Sequence, residues 1–166
     1  GAGVGIGVNH NNVGNIVINN TGDINVSQPS AYNYGDSFGI DAIHDDDGEI
    51  AITNAAQITA DDGINAVHYG RGKITVTTTQ DSVINAEYDG IYVRHGESYD
   101  SYELGQGEVL GNIIVSNAGA ITAQDDGIDI VHYNDGDISV TNTGSITASD
   151  DGFDVAHYND GKITVV

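Results

Sequence analysis

The 166-residue sequence has no cysteine, methionine or tryptophan and only one proline. Without cysteine, no disulfide can stabilise the fold, so packing and hydrogen bonds must do so. Lysine and arginine together number four, against 25 aspartate and glutamate residues, and the formal net charge is −21. Such a charge repels phosphate backbones and anionic membrane surfaces, which argues against nucleic acid or a membrane surface as a partner.

Two kinds of segment are also missing from the sequence. No run of about 20 apolar residues is present, so we predict no transmembrane helix and no direct membrane insertion. No stretch repeats its apolar residues with the 3.6-residue period of a helix, so helices should be nearly absent. No secretory leader is recognisable, and we expect the chain to be a mature segment of a longer protein.

The sequence instead contains a tandem repeat that histidine marks. Each histidine follows a glycine by five residues, and the six are His10, His44, His68, His95, His132 and His157. The basic unit is about 25 residues long, and the longer intervals between units indicate inserts at about 27–37 and 96–110. We therefore predict a single domain that spans residues 1–166.

Each unit contains three short segments in which β-branched apolar residues alternate with polar ones. Examples are Ile128-Asp129-Ile130, Ile138-Ser139-Val140 and Ile146-Thr147-Ala148. Strict alternation predicts strands with one buried face, and three such strands cannot close a core alone. We predict an all-β fold, a right-handed parallel β-helix (β-solenoid) of about six coils in which each strand pairs with its copy in the next coil. The alternative, a β-propeller, needs about 40 residues and four strands per blade.

The repeat resembles that of a known class of proteins. The segment 136–153 reads GDISVTNTGSITASDDGF and resembles the repeats of autotransporter passenger domains and related large bacterial surface adhesins. The resemblance covers nearly the whole chain except the two inserts. It implies a right-handed β-helix on the outside of a Gram-negative cell, secreted or surface-displayed, that acts as a stalk or an adhesive surface. The calcium-binding nonapeptide of repeats-in-toxin proteins is absent.

Two polar columns are predicted inside the coils. The six histidines share the parity of the inward isoleucines, so their rings should stack along the axis. Each unit also contains a second glycine, and the residues six positions after it form a second inward column. The members of this column are Asn20, Asn54, Asn117 and Asn142, with Thr78 in the third unit. We interpret both ladders as structural, because a metal site needs ligands that converge on one ion. A metal column or a pH switch is the alternative for histidine.

The acidic residues are predicted to face outward in columns. One column contains Asp41, Asn65, Tyr92, Asp129 and Asp154, and another contains Asp62, Asp89, Asp126 and Asp151. Carboxylates stacked one coil apart repel one another by about 1 kcal/mol per pair in water. Calcium bound between turns can offset this repulsion, and so can a diffuse cloud of counter-ions. The candidate calcium ligands are Asp125, Asp126, Asp150, Asp151, Asp135 and Asp160.

The two inserts are candidate recognition loops, because irregular loops on a repetitive scaffold are the usual site of binding. Tyrosine offers a flat apolar face and a hydroxyl, which suits a sugar or a protein surface. The candidate ligand-binding residues are Tyr32, Tyr34, Tyr92, Tyr99, Asp100, Tyr102 and Glu103. We predict a structural and adhesive function without enzymatic activity, with a glycan or a host or neighbouring cell-surface protein as the partner.

Two alternatives remain open. The chain begins and ends on predicted strands, so copies could stack end to end by strand pairing and form an extracellular filament. Some β-helices are polysaccharide lyases or hydrolases, which use a basic residue or paired carboxylates. Arg94, which lies near Asp89 and Tyr92 in the sequence, is the candidate catalytic group for that class.

Overall fold

The computed structural model describes residues 3–26, 37–96 and 111–166, in which the strands, numbered β1 to β17 along the chain, form three parallel sheets. The first sheet contains β1 (Val4–His10), β4 (Phe38–His44), β7 (Asp62–His68), β10 (Ile91–His95), β13 (Ile128–His132) and β16 (Phe153–His157). The second contains β2 (Ile16–Asn20), β5 (Ile50–Asn54), β8 (Ile74–Thr78), β11 (Ile113–Asn117), β14 (Ile138–Asn142) and β17 (Ile163–Val165). The third contains β3 (Ile24–Asn25), β6 (Gln57–Ala60), β9 (Val83–Ala86), β12 (Ala120–Thr122) and β15 (Ser145–Thr147).

Each strand pairs in parallel with its equivalent in the next coil, and equivalent residues lie opposite each other. In the first sheet, His95 pairs with His68 on one side and with His132 on the other. The predicted parallel β-helix of about six coils is therefore confirmed, and the β-propeller is excluded. The right-handed sense of the coil stays a prediction.

The core is a column of inward isoleucine and valine side chains. In the third coil, Ile64, Ile74 and Ile84 each come from a different sheet, and all three are fully buried. Burial of one such side chain stabilises the fold by about 1.5–3 kcal/mol, so the stacked isoleucines supply the main stabilisation. The residues that the structure describes contain no helix, as predicted, and so none that could cross a membrane.

Glycine allows neighbouring coils to approach closely at the turn between the first and second strands of each coil. Gly72 has a φ of +139°, a region that other residues rarely adopt. A Cβ atom at this position would overlap the carbonyl oxygen of Gly48 in the preceding coil. This contact explains the second glycine of the repeat.

The expectation that acidic side chains face solvent is wrong at the start of the third coil. Asp61 and Asp62 are both buried. The Asp61 carboxylate accepts the backbone N–H of Ser37 at 2.8 Å, and the Ser37 hydroxyl accepts the N–H of Asp61 at 3.1 Å. A buried carboxylate requires such hydrogen bonds, because its desolvation would otherwise be too costly.

Candidate functional site

The six histidines form one ladder along the axis. Their neighbouring ring centroids are 4.8 to 5.0 Å apart, which is the rise of one coil. The rings of His44 and His68 are nearly parallel, with an angle of 5° between their planes. His44, His68, His95 and His132 are fully buried. The structure thus brings together all the histidines that the repeat singled out.

Backbone groups fix the protonation of this histidine ladder. Nε2 of His68 lies 2.8 Å from the carbonyl oxygen of Gly48, and since a carbonyl can only accept, Nε2 carries the proton. The backbone N–H of Asn134 donates to Nδ1 of His132 at 3.1 Å, so that nitrogen is an acceptor. Nε2 of His132 also lies 3.0 Å from the carbonyl oxygen of Gly111, so this ring is bonded at both nitrogens, is neutral and has no lone pair left for a metal, which favours the structural role. Nδ1 of His68, by contrast, has no hydrogen-bond partner.

Burial lowers the pKa of the central histidines. The pKa falls to about 3 for His95 and to about 4 for His132, mainly because the buried ring cannot be solvated when charged. A neighbouring histidine adds to the effect in each case, and the glycine carbonyl that accepts from Nε2 opposes it. His95 and His132 are therefore uncharged at neutral pH.

The asparagine ladder is also hydrogen-bonded from coil to coil. Asn20 donates its side-chain N–H to Asn54 at 2.7 Å, and Asn117 donates to Asn142 at 2.8 Å. In the third coil the Thr78 hydroxyl donates to the Asn117 side chain, but it does not bond to Asn54. Asn54 donates instead to the hydroxyl of Ser82. Ser82 lies in the turn after β8, outside the repeat pattern, so sequence reasoning did not identify it.

The aspartates that precede the first glycine of each unit have a structural role that sequence reasoning missed. We name Asp62, Asp89, Asp126 and Asp151, one in each of four successive coils, the coil-start aspartates. Carboxylates of the first three accept the backbone N–H of the next member, at 3.3, 3.2 and 2.9 Å. Each bond uses one of about four acceptor positions on a carboxylate.

The structure brings together three of the six candidate calcium ligands. Carboxylate oxygens of Asp125, Asp126 and Asp150 all lie within 4.8 Å of one another. Asp151 is not part of this cluster. Asp135 accepts the backbone N–H of Asp160 at 3.2 Å, and within the described ranges these two join no group of three acidic ligands. Oxygen ligands at this spacing suit calcium, although exposed acidic groups are common without an ion.

A groove of about 510 Å³ lies on the outer face of the first sheet, and we name it the outer groove. Its described lining consists of Phe38, Ile43, Asp62, Asn65, Val67, Tyr69, Tyr88, Asp89, Tyr92, Arg94 and Asp125. Four of these residues, Asn65 and Val67 of β7 and Tyr92 and Arg94 of β10, lie on the face of the first sheet that points away from the core. The groove thus combines an apolar floor with aromatic rings, carboxylates and a guanidinium, a mixture typical of ligand-binding sites.

Arg94 completes an aromatic column beside this groove. Tyr69, Tyr133 and Tyr158 each follow a histidine, and Gly96 takes that place in the fourth coil. The guanidinium of Arg94 fills the gap, 5.7 Å from the ring centroid of Tyr69 and 5.5 Å from that of Tyr133. Cation–π contacts of this kind hold the side chain in a defined position.

The carboxylates around the outer groove repel one another. Burial, followed by the charges of Asp89 and Asp154, raises the pKa of Asp129 to about 7. Burial also raises the pKa of Asp89, although the N–H of Asp126 opposes the rise. The pKa of the Tyr92 phenol is raised by burial as well, against the influence of Arg94. The site therefore favours a positive or proton-donating group.

The candidate recognition residues divide into two sets. Tyr92 lies in the outer groove together with Asp89 and Arg94, and Arg94 is the candidate catalytic group. The other six candidates, Tyr32, Tyr34, Tyr99, Asp100, Tyr102 and Glu103, lie outside the described residues.

Comparisons of the chain with protein-family models, curated proteins and solved structures found no match. The function must therefore be argued from the geometry of the site, because one fold can support many functions. The outer groove can bind a flat ring on tyrosine, donate hydrogen bonds from Arg94 and accept them at Asp89. A carboxylic acid with a pKa near 7, as at Asp129, can also transfer a proton.

Proposed function

We propose that this chain is a structural and adhesive segment of a secreted or surface-displayed bacterial β-helix, of the autotransporter and adhesin kind, and that its outer groove binds a glycan. The observation that carries the proposal is the clustering of residues that depart from the repeat. Asn65, Tyr92 and Arg94 interrupt columns that are otherwise acidic or apolar from the second coil to the sixth, and all three line the groove. Irregular residues on a regular scaffold mark a recognition surface.

The interior supports the scaffold role. Both polar ladders bond to neighbouring coils or to turn carbonyls, and the isoleucine column is continuous. Buried polar groups whose hydrogen bonds are satisfied make a packed structure more rigid. A rod of this kind can hold a binding surface at a fixed distance from a cell.

A glycan array tests the adhesive role. We expect the chain to bind a subset of glycans and expect Tyr92→Ala to weaken that binding roughly tenfold, because the substitution removes an aromatic surface from the groove. Tyr158→Ala is the matched control, since Tyr158 is exposed and lies outside the described lining. Absence of glycan binding, or an equal loss in both variants, would count against the proposal.

A polysaccharide lyase or hydrolase is the second candidate function. It is favoured by the raised pKa of Asp129 and by the neighbouring Asp89 and Arg94, since paired carboxylates of unequal pKa perform acid–base chemistry on glycosidic bonds. Release of shortened products from polysaccharides measures this activity. Arg94→Ala should abolish it, and Arg71→Ala, an exposed arginine outside the described lining, should not.

Calcium binding between turns is a further part of the proposal. It is supported by the convergence of Asp125, Asp126 and Asp150, whose mutual repulsion a divalent cation would remove. An ion at this position would join two successive coils and strengthen the rod. Thermal melting with and without calcium tests this point, as developed in the Discussion.

A further inference from the structure

We propose that Asp129 and Asp154 share one proton and form a pH-sensitive joint between the fifth and sixth coils of the rod. In the closed joint, the protonated carboxyl of Asp129 donates its O–H to the carboxylate of Asp154. In the open joint, the proton has passed to the solvent and the two carboxylates repel each other. This inference concerns the scaffold and does not depend on what the outer groove binds.

The first argument is the register of the first sheet. Asp129 of β13 lies opposite Asp154 of β16, at a position that faces away from the core in both strands. The inward rings of the same two strands, those of His132 and His157, have their centroids 4.8 Å apart, which is the spacing of the two coils. Carboxyl groups on side chains that start at this spacing can reach hydrogen-bonding distance by rotation about the side-chain bonds.

The second argument is a hydrogen bond at the equivalent place in the same column. Asn65 of β7 lies opposite Asp41 of β4, and the Asn65 amide donates to the Asp41 carboxylate at 2.8 Å. A protonated aspartate has nearly the shape of an asparagine and also carries a donor at its end, whereas an ionised aspartate only accepts. Asp129 can therefore make the equivalent bond to Asp154 only while it holds a proton.

The third argument is the set of charges around Asp129, which retain the proton. In the part of the chain that the structure describes, the titratable and charged groups around it are Asp154 of β16, Tyr92 and Arg94 of β10, Asp89 before β10, Asp125 and Asp126 before β13, and Tyr133 after β13. Arg94, the one cation in this set, lies between two tyrosine rings and donates to a backbone carbonyl. Burial, followed by the charges of Asp89 and Asp154, raises the pKa of Asp129 to about 7. Two neighbouring carboxylates without a cation between them favour one shared proton over two negative charges.

The joint responds to pH in the opposite sense to the histidine ladder. The pKa of Asp129 is higher in the folded chain than the ordinary value of 3.8, so the folded state binds this proton more tightly. The joint is therefore closed in slightly acid solution and opens as the pH rises through about 7. The pKa values of His95 and His132 are lowered, so acid weakens the interior of the rod. The closed joint offsets part of that loss between the fifth and sixth coils.

Hydrogen exchange of the backbone in and after β16 tests the proposal, because local opening of the sixth coil exposes these N–H groups. The N–H of Tyr158, which donates to the carbonyl oxygen of His132 at 2.9 Å, is the reporter. A double-mutant cycle compares the parent chain with Asp129→Ala, Asp154→Ala and the double variant. Each is measured at about pH 5 and about pH 8 with a calcium chelator present, and protection is corrected for the intrinsic effect of pH on exchange.

We expect the coupling between the two aspartates to change sign with pH. At about pH 5 each single substitution should lower the protection of the Tyr158 N–H roughly fivefold, and the double variant should lose little more, because either substitution removes the shared bond. At about pH 8 each single substitution should instead raise the protection, because it removes the repulsion between two carboxylates. The ladder histidines titrate in all four proteins, so their effect cancels in the cycle.

Repulsion without a shared proton predicts a different result and would overturn the proposal. In that case the coupling is absent at about pH 5 and unfavourable only at about pH 8. Asp137→Asn is the matched control for charge, since its amide oxygen can still accept the N–H of Lys162 and it removes one negative charge from the same pair of coils. It should leave the pH dependence of the Tyr158 N–H as in the parent chain, and an altered dependence would assign the effect to net charge.

Asp129→Asn provides a second test, because its amide can donate to Asp154 at every pH, as Asn65 donates to Asp41. The Tyr158 N–H should then keep at about pH 8 the protection that it has at about pH 5, whereas the parent chain should lose it roughly fivefold. A loss as large as that of the parent chain would show that the shared proton is not what holds the two coils together.

Discussion

Asn54 donates its side-chain N–H to the hydroxyl of Ser82 at 2.7 Å, although the register of the second sheet places Thr78 opposite Asn54. The second N–H of the same amide donates to the carbonyl oxygen of Ala56 at 2.9 Å. Ser82 is 1% exposed, so water cannot replace it. The turn after β8 therefore repairs the asparagine ladder at the coil where threonine interrupts it.

Ser82→Ala should destabilise the fold by about 1–3 kcal/mol, because it leaves a buried donor of Asn54 without an acceptor. Urea denaturation followed by circular dichroism measures the change. Ser139→Ala is the control, since Ser139 lies on the outer face of β14, and its effect should stay within about 0.5 kcal/mol. Equal effects of the two substitutions would show that the Asn54 bond is unimportant.

Gly72→Ala should prevent folding or cost on the order of 4 kcal/mol or more. The added Cβ would overlap the Gly48 carbonyl, and the φ of +139° disfavours alanine in addition. Gly22→Ala is the control, because no heavy atom lies within 4 Å of a Cβ at that position. Circular dichroism and thermal melting distinguish the two variants. A well-folded Gly72→Ala protein would contradict the close approach of the coils.

The histidine ladder should make the protein sensitive to acid. The native pKa of His95 is about 3, below the ordinary value of 6.5, so the unfolded chain binds the proton more readily. Stability is then lost as the pH falls from about 6.5 towards the native pKa, by on the order of 1 kcal/mol per pH unit. His95→Gln should be less stable at neutral pH but should show a flatter pH dependence in urea titrations. An unchanged slope would contradict the role of burial.

Asp129→Asn should have the opposite pH dependence. Burial and the charges of Asp89 and Asp154 raise the native pKa of Asp129 to about 7 from 3.8. The folded state therefore binds the proton more tightly, and stability is lost as the pH rises through this window. The variant should gain stability relative to the parent protein as the pH rises, and the difference should vanish in acid. Urea midpoints across the pH range test the sign, and a gain in acid would contradict it.

Calcium should raise the melting temperature, and a chelator should reverse the change. At a calcium concentration 100 times the Kd, the expected rise is roughly 5–10 °C for a domain of this size. Asp150→Asn should abolish the effect, because it removes one of three converging carboxylates. Asp160→Asn, outside that cluster, should retain it. Absence of any shift in the parent protein would end the calcium proposal.

Much of the fold could be predicted because a strand alternates its faces and a repeat aligns its copies. Parity alone predicted that Ile128, Ile130 and His132 share the buried face, as the structure shows. The net negative charge suggested a role for the outward carboxylates, but it did not predict the hydrogen bonds that these carboxylates accept. The N–H of Asp126 donates to Asp89 across 37 positions of the chain, and no local pattern indicates such a bond.

The sequence by itself determined the period of the coil, the inward columns and the excess of negative charge, because each depends only on residue type and spacing. The tertiary structure alone decided which side chains meet between coils. Arg94 lies between Tyr69 and Tyr133 because Gly96 leaves room in the column between them. Contacts of this kind depend on the coil rise, on turn geometry and on side-chain reach, and the three become fixed only when the coils stack.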